Sequence, residues 1–253
     1  MDLWKYFAIG HERHLFCNPL SEAKVDELIV LLALSDEARV LDIACGKAEF
    51  LVRTVKRWNC SAVGVDLSPY FVADARAKVE AAGLEPAIEI VEANGSDYSG
   101  KSSSFDAAVC LGASWIWGGL EGTLRALSSW AKPGGLVVVG EPFWRSLPSR
   151  DHLEAAELTE SSFSTHLGNA QTGLGLGLGL LHTIVSSEDD WDRYEGYQWY
   201  AAESYSRRNP GDPDIRELMA NVRKARDHYL QWGRKEIGWA VYLFQKDPFQ
   251  PAA

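Results

Sequence analysis

Apolar and polar positions divide the chain into short runs of two kinds. Five runs are almost wholly apolar: RVLDIACG from 39, SAVGVDLS from 61, AIEIVEAN from 87, FDAAVCLGAS from 105 and LVVVGEP from 136. Such runs, with no polar alternation, predict strands covered on both faces. AEFLVRTVKRW, YFVADARAKVEAAG and LEGTLRALSSWA lie between strands and are apolar at helical spacing. They predict helices, the second closed by Gly83. Lys132-Pro133-Gly134-Gly135 predicts a turn before the fifth strand. Upstream, Ser21 is placed to cap a helix whose Val25, Leu28, Ile29, Leu31 and Leu32 make a broad apolar face.

Strand and helix therefore alternate, which predicts a parallel, doubly wound sheet with helices on both sides. The rhythm changes after residue 145. RSLPSRDHLEAAELTESSFSTHL predicts a loop and a helix. The Leu-Gly alternation that follows reads as a helix-to-strand junction or a flexible hinge, with a strand expected from Leu178 to Ser186. Two polar helices are expected at 189–207 and 213–235, then a last strand, IGWAVYLFQK. The whole chain, 1–253, reads as one domain, with 187–235 as a helical insertion able to cap a substrate. Residues 1–19 are aromatic and His-rich and end in Asn18-Pro19.

Composition narrows the class. The chain has 253 residues, 46% apolar and 24% charged, which excludes wholesale disorder. Its formal charge of -10 disfavours nucleic acid and anionic membranes as partners. Cys17, Cys45, Cys60 and Cys110 form no C-x-x-C pair, and no Cys/His cluster has zinc spacing, so no metal is expected. Nothing reads as a secretory signal or a membrane span, and the expectation is a cytoplasmic protein, monomer or homodimer.

Two motifs carry candidate chemistry. VLDIACGKAE joins a buried strand to a helix through small residues, which let a ligand approach the backbone and the free N–H groups of a helix start. Asp66 ends the next strand, where a carboxylate can accept from a ribose diol. Nicotinamide-binding folds share both features. Their G-x-G-x-x-G fingerprint is absent, however, and Asp42 beside the turn would repel a pyrophosphate.

Across residues 20–146 the sequence resembles the class I S-adenosylmethionine (SAM)-dependent methyltransferases. The resemblance is carried by VLDIACGKAEF, GVDLS, EAN at 92–94, FDAAVCLGAS and the KPGG turn. EPFWR at 141–145 and WDRYEGYQW at 191–199 resemble a bacterial small-molecule branch of that family. It implies a Rossmann-like, seven-stranded, mainly parallel sheet with an antiparallel last strand, and SAM as cofactor. It further implies that Asp42, Ala44 and Gly46 line the methionine moiety, and that Asp66 binds the ribose. Leu67 and Asn94 would meet the adenine, Gly95 would offer a backbone contact, and Leu111 with Gly112 would pass beneath the cofactor. Ala44 and Ala48 depart from the Gly found in many members.

The acceptor side is read from strand ends. Glu141 is the best-placed base or orienter, and Trp115, Trp117 and Trp144 are candidate substrate walls, each equally readable as structural. Tyr194 becomes a substrate contact if its helix covers the pocket. The resemblance implies that residues 1–19 form a lid segment over the cofactor, which makes His14, Tyr6 and Asn18 candidates on it. The expected function is methyl transfer to a small molecule at O, N or C. The alternatives are an RNA or protein methyltransferase, an NAD-dependent oxidoreductase, or a non-catalytic SAM-binding protein.

Overall fold

A computed structural model describes residues 2–248. Its centre is a seven-stranded sheet in the order β3-β2-β1-β4-β5-β7-β6. The strands are β1 (Arg39–Ile43), β2 (Ser61–Asp66), β3 (Ile88–Glu92), β4 (Phe105–Leu111), β5 (Ala131–Trp144), β6 (Leu178–Val185) and β7 (Ile237–Lys246). The first five run parallel, while β7 lies antiparallel to both β5 and β6. The strand order reverses between β1 and β4. In such sheets a ligand crevice opens beyond the strand ends at that point.

Both faces are covered, as the unbroken apolar runs require. Val25, Leu28 and Ile29 of α2 (Glu22–Leu31) pack on one face, with Phe50, Leu51 and Val55 of α3 (Glu49–Trp58). They are joined by Ala75 and Val79 of α4 (Pro69–Ala81). Leu124, Leu127 and Trp130 of α5 (Leu120–Trp130) pack on the other, beside Ala170 of α7 (His166–Gly175). Local chemistry agrees with these starts: the Ser68 hydroxyl accepts from the Phe71 amide, and Pro69 fills the first turn of α4. Two helices, α8 (Glu188–Arg208) and α9 (Ile215–His228), form the insertion between β6 and β7. No helix of the described residues is long and apolar enough to cross a membrane.

The N-terminal segment contains a helix, α1 (Leu3–Gly10), whose order rests on distant contacts, and two local expectations are corrected. Lys5 Nζ and Tyr6 Oη both donate to Asp212, at 2.8 and 2.7 Å. The expected turn at 132–135 lies inside β5, where the register with β4 shifts between Phe105 and Ala107. Finally, the helix expected at 213–235 ends at His228 and continues as a π-helical turn, Tyr229–Gly233. That turn lets Tyr229 donate to Asp192 at 2.7 Å and lays Trp232 parallel to His152. The helix expected within residues 145–167 is α6 (Arg150–Ala156).

Candidate active site

The loop from β1 to α3 turns through three left-handed residues, Ala44 (φ 61°), Gly46 (φ 54°) and Ala48 (φ 57°). An L-residue costs about 1–2 kcal/mol there, so the two alanines hold strain that glycine would not. Gly46 cannot be replaced in the same way. A Cβ on it would lie 3.3 Å from Cys17 Sγ, because the N-terminal segment passes directly over the loop. The Gly46 amide donates to Asp66 Oδ2 and the Ser68 amide to Oδ1, each at 2.8 Å. Asp66 is thereby fixed at the end of β2, with lone pairs left for a diol.

A cavity of about 480 Å³ opens over this loop. Asp42, Ala44, Gly46 and Asp66 line it, and so do Leu67, Asn94, Gly95 and Leu111. Every residue expected to meet the cofactor is therefore in one wall. Gly95 is required by close approach, since a Cβ would stand 2.4 Å from Ile43 Cγ2. Asn94 turns its amide oxygen to the Ser96 amide at 3.1 Å. Asp42 is buried, and no hydrogen bond reaches its carboxyl from the described residues. Burial, with Asp66 nearby, pushes its pKa well above the ordinary value. An unpaired buried carboxyl facing a cavity fits a cationic ligand, and SAM carries both an ammonium and a sulfonium.

The roof comes from the N-terminus. Trp4 and Phe7 of α1, with Phe16, Cys17 and Asn18, complete the cavity wall. Lys47 holds this segment down: its buried ammonium donates to the carbonyls of His11 at 2.7 Å and of Glu12 and His14 at 3.3 Å. From above, Tyr194 Oη donates to His11 Nε2 at 2.8 Å. The roles of Lys47, Trp4 and Phe7 were not legible in sequence. A lysine bound to backbone carbonyls leaves no partner residue to pair it with, and α1 was not expected.

The acceptor candidates separate. Trp115 lines the cavity. His14 and Tyr194 line a smaller chamber of about 170 Å³, which shares Leu15, Phe16 and Asn18 with the large one. Trp117 packs edge-on against Trp130. Trp144 is buried against His152 and Phe163, and its indole N–H donates to the Glu160 carbonyl at 2.9 Å. Both tryptophans stand outside the two cavities and pack against other rings. Glu141 also lies outside them. Its Oε1 accepts from Ser114 Oγ at 3.0 Å, beneath the turn that carries Ala113 and Trp115 into the cavity. Burial pushes its carboxyl up to about 7. Its second oxygen, Oε2, is buried without a partner. No group of three or more His, Cys, Asp or Glu stands together at metal distance among the described residues.

Comparison with known proteins meets this geometry. A family model described as a methyltransferase domain matches residues 40–135. The uncharacterized protein YjhP of Escherichia coli K12 is 30% identical over 244 residues, 96% of this chain and 98% of that one. A SAM-dependent methyltransferase from Thiobacillus denitrificans, solved with S-adenosyl-L-homocysteine, is 31% identical with a TM-score of 0.88. The match covers 96% of this chain and 99% of that one.

The chain belongs to the SAM-dependent methyltransferases.

A further member from Geobacter sulfurreducens, also solved with S-adenosyl-L-homocysteine, superposes with a TM-score of 0.89 at 28% identity, over 95% of this chain and 97% of that one. The cofactor of this methyltransferase is therefore SAM, and the 480 Å³ cavity has the size and the unpaired carboxyl to hold it.

Proposed function

We propose that this methyltransferase acts on a small molecule, in the cavity roofed by α1 and residues 15–18. The supporting observation is that roof. Trp4, Phe7, Phe16 and Cys17 stand over the loop that holds the donor, so an acceptor must fit beneath them. A folded protein or an RNA duplex has no such reach. SAM, when bound, supplies a methyl group already activated on sulfur. The chain then has to bind, orient and exclude water.

Asp42, Ala44 and Gly46 would hold the methionine portion, Asp66 the ribose, and Leu67, Asn94 and Gly95 the adenine side. Leu111 closes the floor. Trp115 offers an aromatic wall toward the acceptor, and the faces of Trp4 and Phe7 suit a sulfonium. Glu141 acts as a positioning residue by holding Ser114, and Lys47 as the clamp that keeps the roof closed over the donor.

The test is transfer of labelled methyl from SAM in a cell extract, fractionated by size. Label in the low-molecular-mass fraction is expected. Label confined to RNA or protein would overturn the reading.

A further inference from the structure

Five large apolar side chains line the donor cavity and are open to solvent, which puts them at its mouth: Trp4, Phe7, Leu15, Leu67 and Trp115. Trp115 is 71% exposed, and the other four lie between 40% and 45%. An apolar side chain exposed singly needs no explanation, as at Leu147, which stands outside both cavities. Five gathered at one opening mark a place where an apolar ligand is buried.

The turn after β4 sets Trp115 there. The strand ends at Leu111, and the chain bends at Gly112 (φ 106°), a conformation that favours glycine. Ser114–Trp117 then make one short helical turn, followed by Gly118 (φ 72°) and Gly119 (φ 119°). Both ends of that turn are tied down. Ser114 Oγ donates to Glu141 of β5, and Trp117 packs edge-on against Trp130 of α5. The Trp115 indole between them has no ring contact and no hydrogen bond among the described residues.

The cavity has no charge left for an acceptor. Asp42, Lys47, Glu49 and Asp66 are the charged residues of its wall, and among the described residues no Arg or His lines it. Lys47 gives its ammonium to three carbonyls. Glu49 is paired with Arg53 at 2.7 Å and with Lys78 at 2.6 Å. Asp66 accepts from two amides at the ribose place, and Asp42 belongs to the cationic end of the donor. Phe16, Phe50, Phe71 and Ile116 make most of the remaining wall apolar. An ionised acceptor would leave water here without a counter-charge, which is costly.

We infer that the acceptor is an uncharged, largely apolar molecule with an aromatic part, held at the mouth formed by Trp4, Phe7, Leu15 and Trp115. The inference rests on the small-molecule methyltransferase reading above and narrows its substrate class. Leu67 is left to the adenine side of the donor. Affinity comes from water leaving both apolar surfaces, and Trp115 offers the largest rigid face. Recognition at this mouth is by shape and by the absence of charge, since the wall holds no free ion to pair with one.

Probes of one shape and different charge test this. Binding of S-adenosyl-L-homocysteine is first measured by calorimetry, and the saturated protein is then titrated at neutral pH. One series is p-cresol, p-toluate and p-methylbenzylammonium; the other is naphthol, naphthoate and naphthylmethylammonium. At least one uncharged probe is expected to bind, with its charged counterparts at least about tenfold weaker. Trp115→Ala, at an exposed position, is expected to weaken that binding about tenfold through lost apolar contact. Leu147→Ala, also exposed but outside the cavities, is expected to leave it unchanged. Charged probes that bind as tightly, no binding by either uncharged probe, or equal affinity in the two variants overturns the inference while the methyltransferase reading stands. Failure of S-adenosyl-L-homocysteine to bind would overturn that reading, and the inference with it.

Discussion

Asp42 sits in the cavity wall with no donor for its carboxyl, and burial beside Asp66 raises its pKa well above 3.8. The folded chain thus holds a proton that the unfolded chain has lost. Stability falls as pH rises from the unfolded value through the folded one. Asp42→Asn is expected to match the natural chain in acid and to exceed it at neutral pH, read by urea unfolding. The same change should weaken SAM binding at least about tenfold, because a bound cation draws the carboxyl into its ionised form and an amide cannot ionise. A variant that is both less stable and equally tight would refute that role. Glu141 obeys the same sign with a known window: its folded pKa is about 7 against an ordinary 4.5. The stability difference between Glu141→Gln and the natural chain should grow in favour of the variant from about pH 4.5 to about pH 7 and then level off. Asp66 differs, since Gly46 and Ser68 amides already hold both its oxygens. Asp66→Ala should cost SAM roughly tenfold or more in affinity, on the order of 1.4 kcal/mol. Unchanged affinity in a folded variant would remove it from the ribose site.

Elements meet at the N-terminal segment. It is gripped from below by Lys47, from the side by Asp212 through Lys5 and Tyr6, and from above by Tyr194. Ser186 Oγ also donates to the Pro19 carbonyl, where the segment joins α2. A helix of eight residues is marginal alone, so α1 owes its order to these contacts. Hydrogen bonds from a charged donor contribute roughly 1.5–3 kcal/mol. Lys47→Met should therefore speed amide exchange across residues 3–14 by about ten- to a hundredfold, while β1 and β4 keep their protection. Equal exchange in both proteins would show that Lys47 does not clamp the roof. The same elements explain what was legible. β1 to β4 and α3 to α5 are local decisions of apolar period and capping, and they appear where the sequence puts them. β7 too matches its expected run, Ile237–Lys246. The π-helical turn after α9 and the roof helix answer to distant partners, His152, Asp192 and Asp212, which no local pattern reveals.

For the whole molecule, ligand binding and folding are linked. A ligand held only by the folded chain stabilises it by about 2.7 kcal/mol at a hundredfold excess over its dissociation constant. For a chain of this length that is a rise of roughly 5–11 °C in Tm. S-adenosylhomocysteine should produce such a rise and NAD none. A rise with NAD alone would contradict the family assignment.

The sequence by itself determined the alternating strands and helices of the parallel core, and it put the residues from Asp42 to Leu111 at strand ends. Those residues lie at strand ends, and a strand end is fixed by the same apolar run that makes the strand. Only tertiary structure decided where the aromatic and titratable side chains beyond the cavity wall stand. It packed Trp117 on Trp130 and Trp144 on Phe163, joined Glu141 to Ser114, and brought His14 beside Tyr194 across 180 positions of chain. The physical reason is the range of the interactions. Strand and helix periods are local, whereas the hydrogen bond of a buried imidazole depends on which distant carbonyl accepts it.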